Sequence, residues 1–171
     1  AGVGKTRAEL ENALAANISC FNVESSEELA LLAEVAAALG LKAPVAIRVN
    51  PDVDAETHPY IATGLNENKF GIPMSEAMDV YRRAAAIPSL QVAGVACHIG
   101  SQLTTIEPIV DAAQRVMELV GSLDAENIKI SHIDIGGGLG ITYRDESPPA
   151  IETYVKAICN TIDPRYSIVI E

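Results

Sequence analysis

The stretch His132-Ile133-Asp134-Ile135-Gly136-Gly137-Gly138-Leu139-Gly140 changes character halfway along. Its first half is β-branched and apolar, as strands are. Its second half is almost all glycine, which strands disfavour. A strand that breaks off into glycine or polar residues is what a parallel α/β fold shows, because sites gather at the carboxyl ends of its strands. The same break recurs along the chain. Strands are predicted at Ile18–Val23, Val45–Asn50, Val92–His98, Lys129–Ile135 and Ser167–Ile170. At their ends stand Glu24, then Arg48 and Asn50, then His98-Ile99-Gly100-Ser101-Gln102, then the glycine run, then Glu171. A random surface would scatter such residues.

Helical patterns separate these strands. Ser25-Ser26-Glu27-Glu28 carries the S-x-x-E capping box, in which serine and glutamate each satisfy a free N–H at the helix start. Leu29, Leu32, Ala36 and Leu39 follow at helical spacing, and Gly40 is placed to end that helix. Ile109, Ala112, Ala113, Val116, Leu119 and Val120 keep one apolar stripe as far as Gly121. Two more helices are predicted, from Ser75 to Ala86 before Pro88, and from about Pro149 to Ile162 before Pro164. The strands read as apolar on both sides, as helix-covered parallel strands are. This leaves a doubly wound sheet or a (β/α)₈ barrel, and a whole barrel takes ~250 residues. The connection from Pro51 to Met74 has no periodicity and exceeds the ~12–15 residues usual for a plain loop. It interleaves His58, Tyr60, Lys69 and Phe70, and reads as a lid over a site.

Composition narrows the function classes. The 171 residues are 49% apolar and 4% aromatic, and 12 Lys+Arg against 23 Asp+Glu give a charge of −11. That balance repels nucleic acid and anionic membranes. No apolar run approaches the ~20 residues of a membrane span, and the start shows no signal pattern. Cys20, Cys97 and Cys159 are scattered among apolar residues, which points to a reducing cytosol. The histidines have no metal-ligand spacing, so no metal site is proposed.

The opening AGVGKT imitates the tail of the phosphate-binding pattern G-x-x-x-x-G-K-[ST]. Thr6-Arg7-Ala8-Glu9, however, is a capping box of its own, which puts Thr6 before a helix and not inside it. Asp134 is the one candidate for the magnesium-holding acid of a nucleotide hydrolase. A strand-to-helix turn is the better reading.

Successive glycines after a strand can turn several N–H groups inward as an anion nest. The run is not G-x-G-x-x-G, because position 141 is Ile141. Taken alone it is also readable as a tight turn, and a strand-end histidine as a hydrogen-bonded structural residue. His132 lies mid-strand and reads as structural, while His58 in the long connection is a weaker substrate contact. The coincidence of His98, the glycines, the Ser101 hydroxyl and Glu171 at neighbouring strand ends favours a site. A phosphate cradle, a flat imidazole and an acid suit a phosphorylated planar cofactor, and pyridoxal phosphate fits. A carboxylate at its ring nitrogen keeps the ring an electron sink.

The segments FNVES, PVAIRVNPDVDAETHPYIATGLNENKFGI, GVACHIGSQLT and HIDIGGGLGITY resemble the diaminopimelate decarboxylases. These are fold-type III pyridoxal-phosphate enzymes related to ornithine and arginine decarboxylases and alanine racemase. The resemblance spans nearly the whole chain, and THPYIATG, KFGI and HIGSQ mark the diaminopimelate branch. It implies an incomplete (β/α)₈ TIM barrel of the alanine racemase and ornithine decarboxylase type. Residues 1–171 would form one partial domain covering about strands four to eight, with the family's C-terminal β-domain outside it. It also implies that His98 stacks on the cofactor ring and that Ser101 and Gly138 bind its phosphate, with Gly136 and Gly137 in the same turn. Glu171 would pair with the ring nitrogen, Arg48 would stand near the site, and Lys69 near a dimer interface. The implied reaction is decarboxylation of meso-2,6-diaminopimelate to L-lysine by a cytoplasmic homodimer acting on a small amino acid. Another basic amino-acid decarboxylase, or a non-catalytic cofactor-binding barrel, is the alternative. The family's cofactor-linking lysine, its substrate-binding arginines and its partner-lent cysteine have no counterpart here. Lys5 falls at the end of what would be strand three, and none of the three cysteines matches. The 171 residues alone are therefore expected to turn nothing over and to leave two sheet edges unpaired.

Overall fold

The structure, a computed structural model, describes residues 1–53 and 70–171. His58, Tyr60 and Lys69, with most of the expected lid, lie outside the described residues. The chain begins with helix α1 (Arg7–Ala15), strand β1 (Phe21–Val23), helix α2 (Ser26–Ala38) and strand β2 (Ala43–Asn50). Strand β3 (Ile72–Pro73), helix α3 (Met74–Ala86), strand β4 (Leu90–Ala96) and helix α4 (Glu107–Ala125) follow. Strand β5 (His132–Asp134), helix α5 (Ile151–Thr161) and strand β6 (Ser167–Val169) complete it.

Every strand pairing is parallel, and the sheet runs β1-β2-β4-β5-β6 with β3 on the flank of β2. Spatial order therefore follows chain order without reversal. A doubly wound sheet reverses direction at a switch point; this one winds one way, as a barrel wall does. The β/α barrel reading holds, and the described strands form an arc of it. Among the described residues, β1 pairs only with β2 and β6 only with β5, leaving two edges.

The two faces of the arc differ. Toward the helices point Phe21, Val23, Ile47, Val95, Ile133 and Ile135, none more than 2% exposed. They pack against Leu32, Val80, Val116 and Ile158 in one apolar cluster. In-register neighbours on a sheet share a face, and on the other face the register aligns Asn22, Ala46, Gly94, His132 and Ser167. One layer further along, it aligns Arg48, Ala96, Asp134 and Val169. The expectation of strands apolar on both sides thus fails on the inner face, which is small and polar. Barrel interiors are usually filled by bulky branched residues; here the upper layers line a cavity.

Gly94 shows how tightly this face is fitted. A Cβ there would stand 2.5 Å from His132 Nε2, so the histidine occupies the space a side chain would take. Burial holds its imidazole below the ordinary value of 6.5, with the nearby Asp134 charge opposing that shift. Below pH ~6.5 the unfolded chain takes up this proton before the folded one, so stability falls as pH falls through that window and is flat above it. Denaturation midpoints of the full-length protein between pH 8 and 5 are expected to show this slope, and His132→Asn to flatten it. Equal slopes in both would assign the acid lability elsewhere.

The helix ends match the sequence signals unevenly. Thr6 forms the full capping box: Glu9 N–H donates to its hydroxyl at 3.4 Å, and Thr6 N–H donates to the Glu9 carboxylate at 2.7 Å. Ser25 makes only half of one. Its hydroxyl accepts from Glu28 N–H at 3.1 Å, but the Glu28 carboxylate turns away to Lys5 at 2.6 Å. Gly40 ends α2 with φ 65°. Helix α4 runs past Gly121 to Ala125, because one exposed glycine costs only ~1 kcal/mol and Leu123 is fully buried two residues on.

Candidate functional site

Lys5, the residue that imitated a phosphate-binding lysine, is committed elsewhere. Its ammonium donates to Glu28 Oε1 at 2.6 Å and to the carbonyls of Gly2 and Asn22, each at 2.7 Å. Lys5 and Glu28 are 14% and 7% exposed at their side chains. The pair fastens the segment before α1 to the carboxyl end of β1, beside Asn22. Removing one partner of a buried pair strands the other. Lys5→Ala in the full-length protein is expected to cost about 3–5 kcal/mol, read as the shift in urea midpoint. A midpoint unchanged from the parent would refute the burial argument.

The carboxyl ends of β1, β2, β4, β5 and β6 surround a cavity of about 230 Å³. Its polar lining is Asn22, Glu24, Arg48, His98, Asp134 and Glu171. Arg48, His98 and Glu171 of the expected set therefore face one space. The glycine turn joins them: Gly137 N–H donates to His98 Nδ1 at 3.4 Å, and Glu171 N–H donates to the Gly136 carbonyl at 3.0 Å. Ser101 and Gly138 are not part of this lining. They sit together on the adjoining loops, tied where Leu103 N–H donates to the Gly138 carbonyl at 2.8 Å.

The nest is narrower than expected. Gly136 N–H is taken by Asp134 Oδ1 at 2.9 Å and Gly137 N–H by His98. Gly138 keeps the N–H of the run that has no acceptor among the described residues. Asp134, weighed in the sequence only as a magnesium ligand, is the buried centre of the rim. Its other oxygen accepts from Asn22 Nδ2 at 2.7 Å, across 112 residues. Asn22 gave no sequence signal, since nothing local distinguishes it. Asp134 did give one, as a strand-end carboxylate two residues before the glycines.

Charge is distributed unequally among three cavity carboxylates. Both oxygens of Glu24 accept from Arg48 Nη1 at 2.9 Å, and Asp134 is occupied as described. Glu171 has no side-chain partner among the described residues. Arg48 keeps a donor in hand, since its buried Nε has no acceptor among the described residues. Its guanidinium carbon lies 5.8 Å from the Phe70 ring centre. Cys97 lines the cavity too, but burial pushes its thiol up to about 12, with Asp134 adding to the shift and Arg48 opposing it. A thiol so placed is no nucleophile. No group of acids, histidines or cysteines among the described residues is arranged to hold a metal.

These groups fit pyridoxal phosphate by their chemistry: an acid without a side-chain partner among the described residues, an imidazole, an orphaned guanidinium N–H, and a glycine N–H without an acceptor among the described residues on the loop paired to the one that carries Ser101. A one-way parallel β/α wall with such a rim defines a barrel that holds a phosphorylated aromatic cofactor. The comparisons agree with that class. Residues 1–171 match the family described as pyridoxal-dependent decarboxylase, pyridoxal binding domain, and the chain belongs to this family. It is 60% identical over 164 residues to the diaminopimelate decarboxylase of Pseudomonas aeruginosa, covering 96% of this chain and 40% of that protein. With the enzyme of the same name from Vibrio cholerae it shares 56% over 162 residues, 95% of this chain and 39% of that one. The chain thus spans about 40% of the length of the curated relatives it matches. The solved diaminopimelate decarboxylase of Helicobacter pylori, complexed with L-lysine, superposes with a TM-score of 0.92 at 43% identity. That match covers 99% of this chain and 43% of the other. The lysine decarboxylase of Selenomonas ruminantium shares the fold at 23% identity, with a TM-score of 0.81 over 98% of this chain and 42% of its own. No described helix is long and apolar enough to cross a membrane.

Proposed function

We propose that this chain is the cofactor-binding part of a diaminopimelate decarboxylase, which converts meso-2,6-diaminopimelate to L-lysine and CO₂. The observation that carries the reading is the Glu171 carboxylate, without a side-chain partner among the described residues, lining the same cavity as His98 while Glu24 and Asp134 are already held. The substrate is argued from the relatives, which bear that name at 47–60% identity. A lysine decarboxylase shares only the fold, at 23%.

In this reading His98, with Nδ1 anchored by Gly137 N–H, would hold the cofactor ring. Glu171 holds a proton at the ring nitrogen. Ser101 and Gly138 N–H bind the phosphate. Arg48, fixed by Glu24, presents its Nε as a further donor. When bound, pyridoxal phosphate supplies an electron sink for the pair left as a carboxylate departs as CO₂. Asp134, itself held by Asn22, fixes the glycine turn through Gly136 N–H. The remaining barrel wall, a β-domain, the cofactor-linking lysine and the substrate arginines would come from sequence outside these residues. A cytoplasmic homodimer is the assembly that goes with this reading.

The test is CO₂ release by the full-length protein loaded with cofactor, offered meso-2,6-diaminopimelate, L-lysine, L-ornithine and L-arginine separately. Turnover confined to diaminopimelate is expected. Preference for another basic amino acid would reassign the substrate, and bound cofactor with no turnover of any would make the barrel non-catalytic.

A further inference from the structure

Two loops meet beside the cavity, one after β4 and one after β5. Their backbones pair: Leu103 N–H donates to the Gly138 carbonyl at 2.8 Å, and Gly140 N–H donates to the Leu103 carbonyl at 2.9 Å. Leu103 and Leu139 make an isolated parallel bridge. Next to this short ladder the Gln102 side chain adds a two-way clip. Its Oε1 accepts from Ile141 N–H at 3.1 Å, and its Nε2 donates to the Ile141 carbonyl.

The clip comes at a conformational cost. Gln102 has φ 61°, a left-handed backbone that non-glycine residues rarely adopt. Such conformations persist only where the surroundings over-determine them, and they cluster at ligand clamps. Core packing does not explain this one. The buried residue of the segment is Leu103, 1% exposed, and the ladder already joins the loops. What the clip adds is registration. Ser101 directly precedes Gln102, and Gly138 lies three residues before Ile141. One amide thus ties together the two loops that carry the hydroxyl and the glycine N–H.

We propose that Gln102 is a positioning residue: by clipping Ile141 it sets the width of the phosphate cradle formed by Ser101 and Gly138. The inference rests on the pyridoxal-phosphate reading above. It concerns the phosphate alone, so it separates from a general role in folding. The ring is held by other residues, His98 and Glu171.

The experiment titrates the full-length protein, freed of cofactor, with pyridoxal phosphate and with pyridoxal, which lacks the phosphate. Binding is followed by cofactor absorption. Gln102→Gly removes the clip and also relieves the backbone strain, so its melting temperature is expected to stay within a few degrees of the parent's. Its affinity for pyridoxal phosphate is expected to fall about 10- to 100-fold, as when supporting partners of a ligand site are lost, with pyridoxal binding unchanged. Gln102→Asn, one methylene too short to reach, reads the same ratio should the glycine variant fail to fold. A parent protein that does not prefer pyridoxal phosphate over pyridoxal would refute the phosphate site itself. A parent that prefers it, with variants keeping the same preference or losing both ligands equally, would overturn the role of Gln102 and leave the site standing.

Discussion

Glu171→Gln in the cofactor-loaded, full-length protein is expected to lower kcat for diaminopimelate by about 10²–10⁴-fold, the usual contribution of a positioned proton-holding group. The neutral amide keeps the shape of the side chain and loses its charge, so it cannot keep a ring nitrogen protonated. Glu24 and Asp134 offer no substitute. Glu24 is fastened by Arg48 at 2.9 Å, and Asp134 by Asn22 at 2.7 Å and Gly136 N–H at 2.9 Å. Cofactor occupancy, checked by absorption, is expected to survive, since the substitution leaves the proposed ring contact at His98 and the proposed phosphate contacts at Ser101 and Gly138 untouched. Glu171→Asp should recover part of the rate, because the charge is restored at a shorter reach. A Glu171→Gln enzyme within threefold of the parent would remove Glu171 from the chemistry.

Gly138→Ala is expected to damage fold and cofactor binding together. At φ 114° an L side chain is strained, and its Cβ would stand 2.1 Å from the Gly100 carbonyl oxygen. Backbone strain of ~1–3 kcal/mol and overpacking of ~1–3 kcal/mol give about 2–6 kcal/mol of destabilisation. Relief requires Gly100 to move, which shifts Ser101 from its proposed place at the phosphate and pulls at the bond from Leu103 to Gly138. Thermal melts with and without pyridoxal phosphate check this: the melting temperature should fall and the stabilisation by cofactor should vanish. Gly121→Ala makes the same chemical change with the opposite sign. Nothing lies within 4 Å of its Cβ, and it sits in a helix interior. It is expected to add roughly 0.5–1 kcal/mol. Similar losses at both sites would mean that the crowding at Gly138 is not what matters there.

Features that depend on a few neighbouring residues were legible in the chain itself. The Thr6 capping box and the stop at Gly40 need only residues three or four apart, and both stand as read. That His98, the glycine run and Glu171 follow strand ends was legible because a strand that stops in polar or glycine residues announces a rim, although the strands end one or two residues earlier than read, at Ala96, Asp134 and Val169. Where a second, distant partner competed, local reading failed. Glu28 left its cap for Lys5, 23 positions away, because a buried ammonium needs a carboxylate more than an N–H near water does. Helix α4 ignored Gly121 because a buried leucine beyond it outweighed the loss. Two glycine N–H groups expected to face a ligand were instead satisfied by Asp134 and His98.

The sequence by itself therefore determined a parallel strand–helix alternation and which chemical groups stand at the strand ends, because periodicity, caps and glycine breaks are short-range matters. Only the tertiary structure decided that the strands wind one way, that their inner face is polar, and that Asn22 and Asp134 meet under the glycine turn. It also decided which of three acids stays unpartnered. Those outcomes depend on sheet order and register, which bring together residues more than a hundred positions apart, and no local pattern encodes such a meeting.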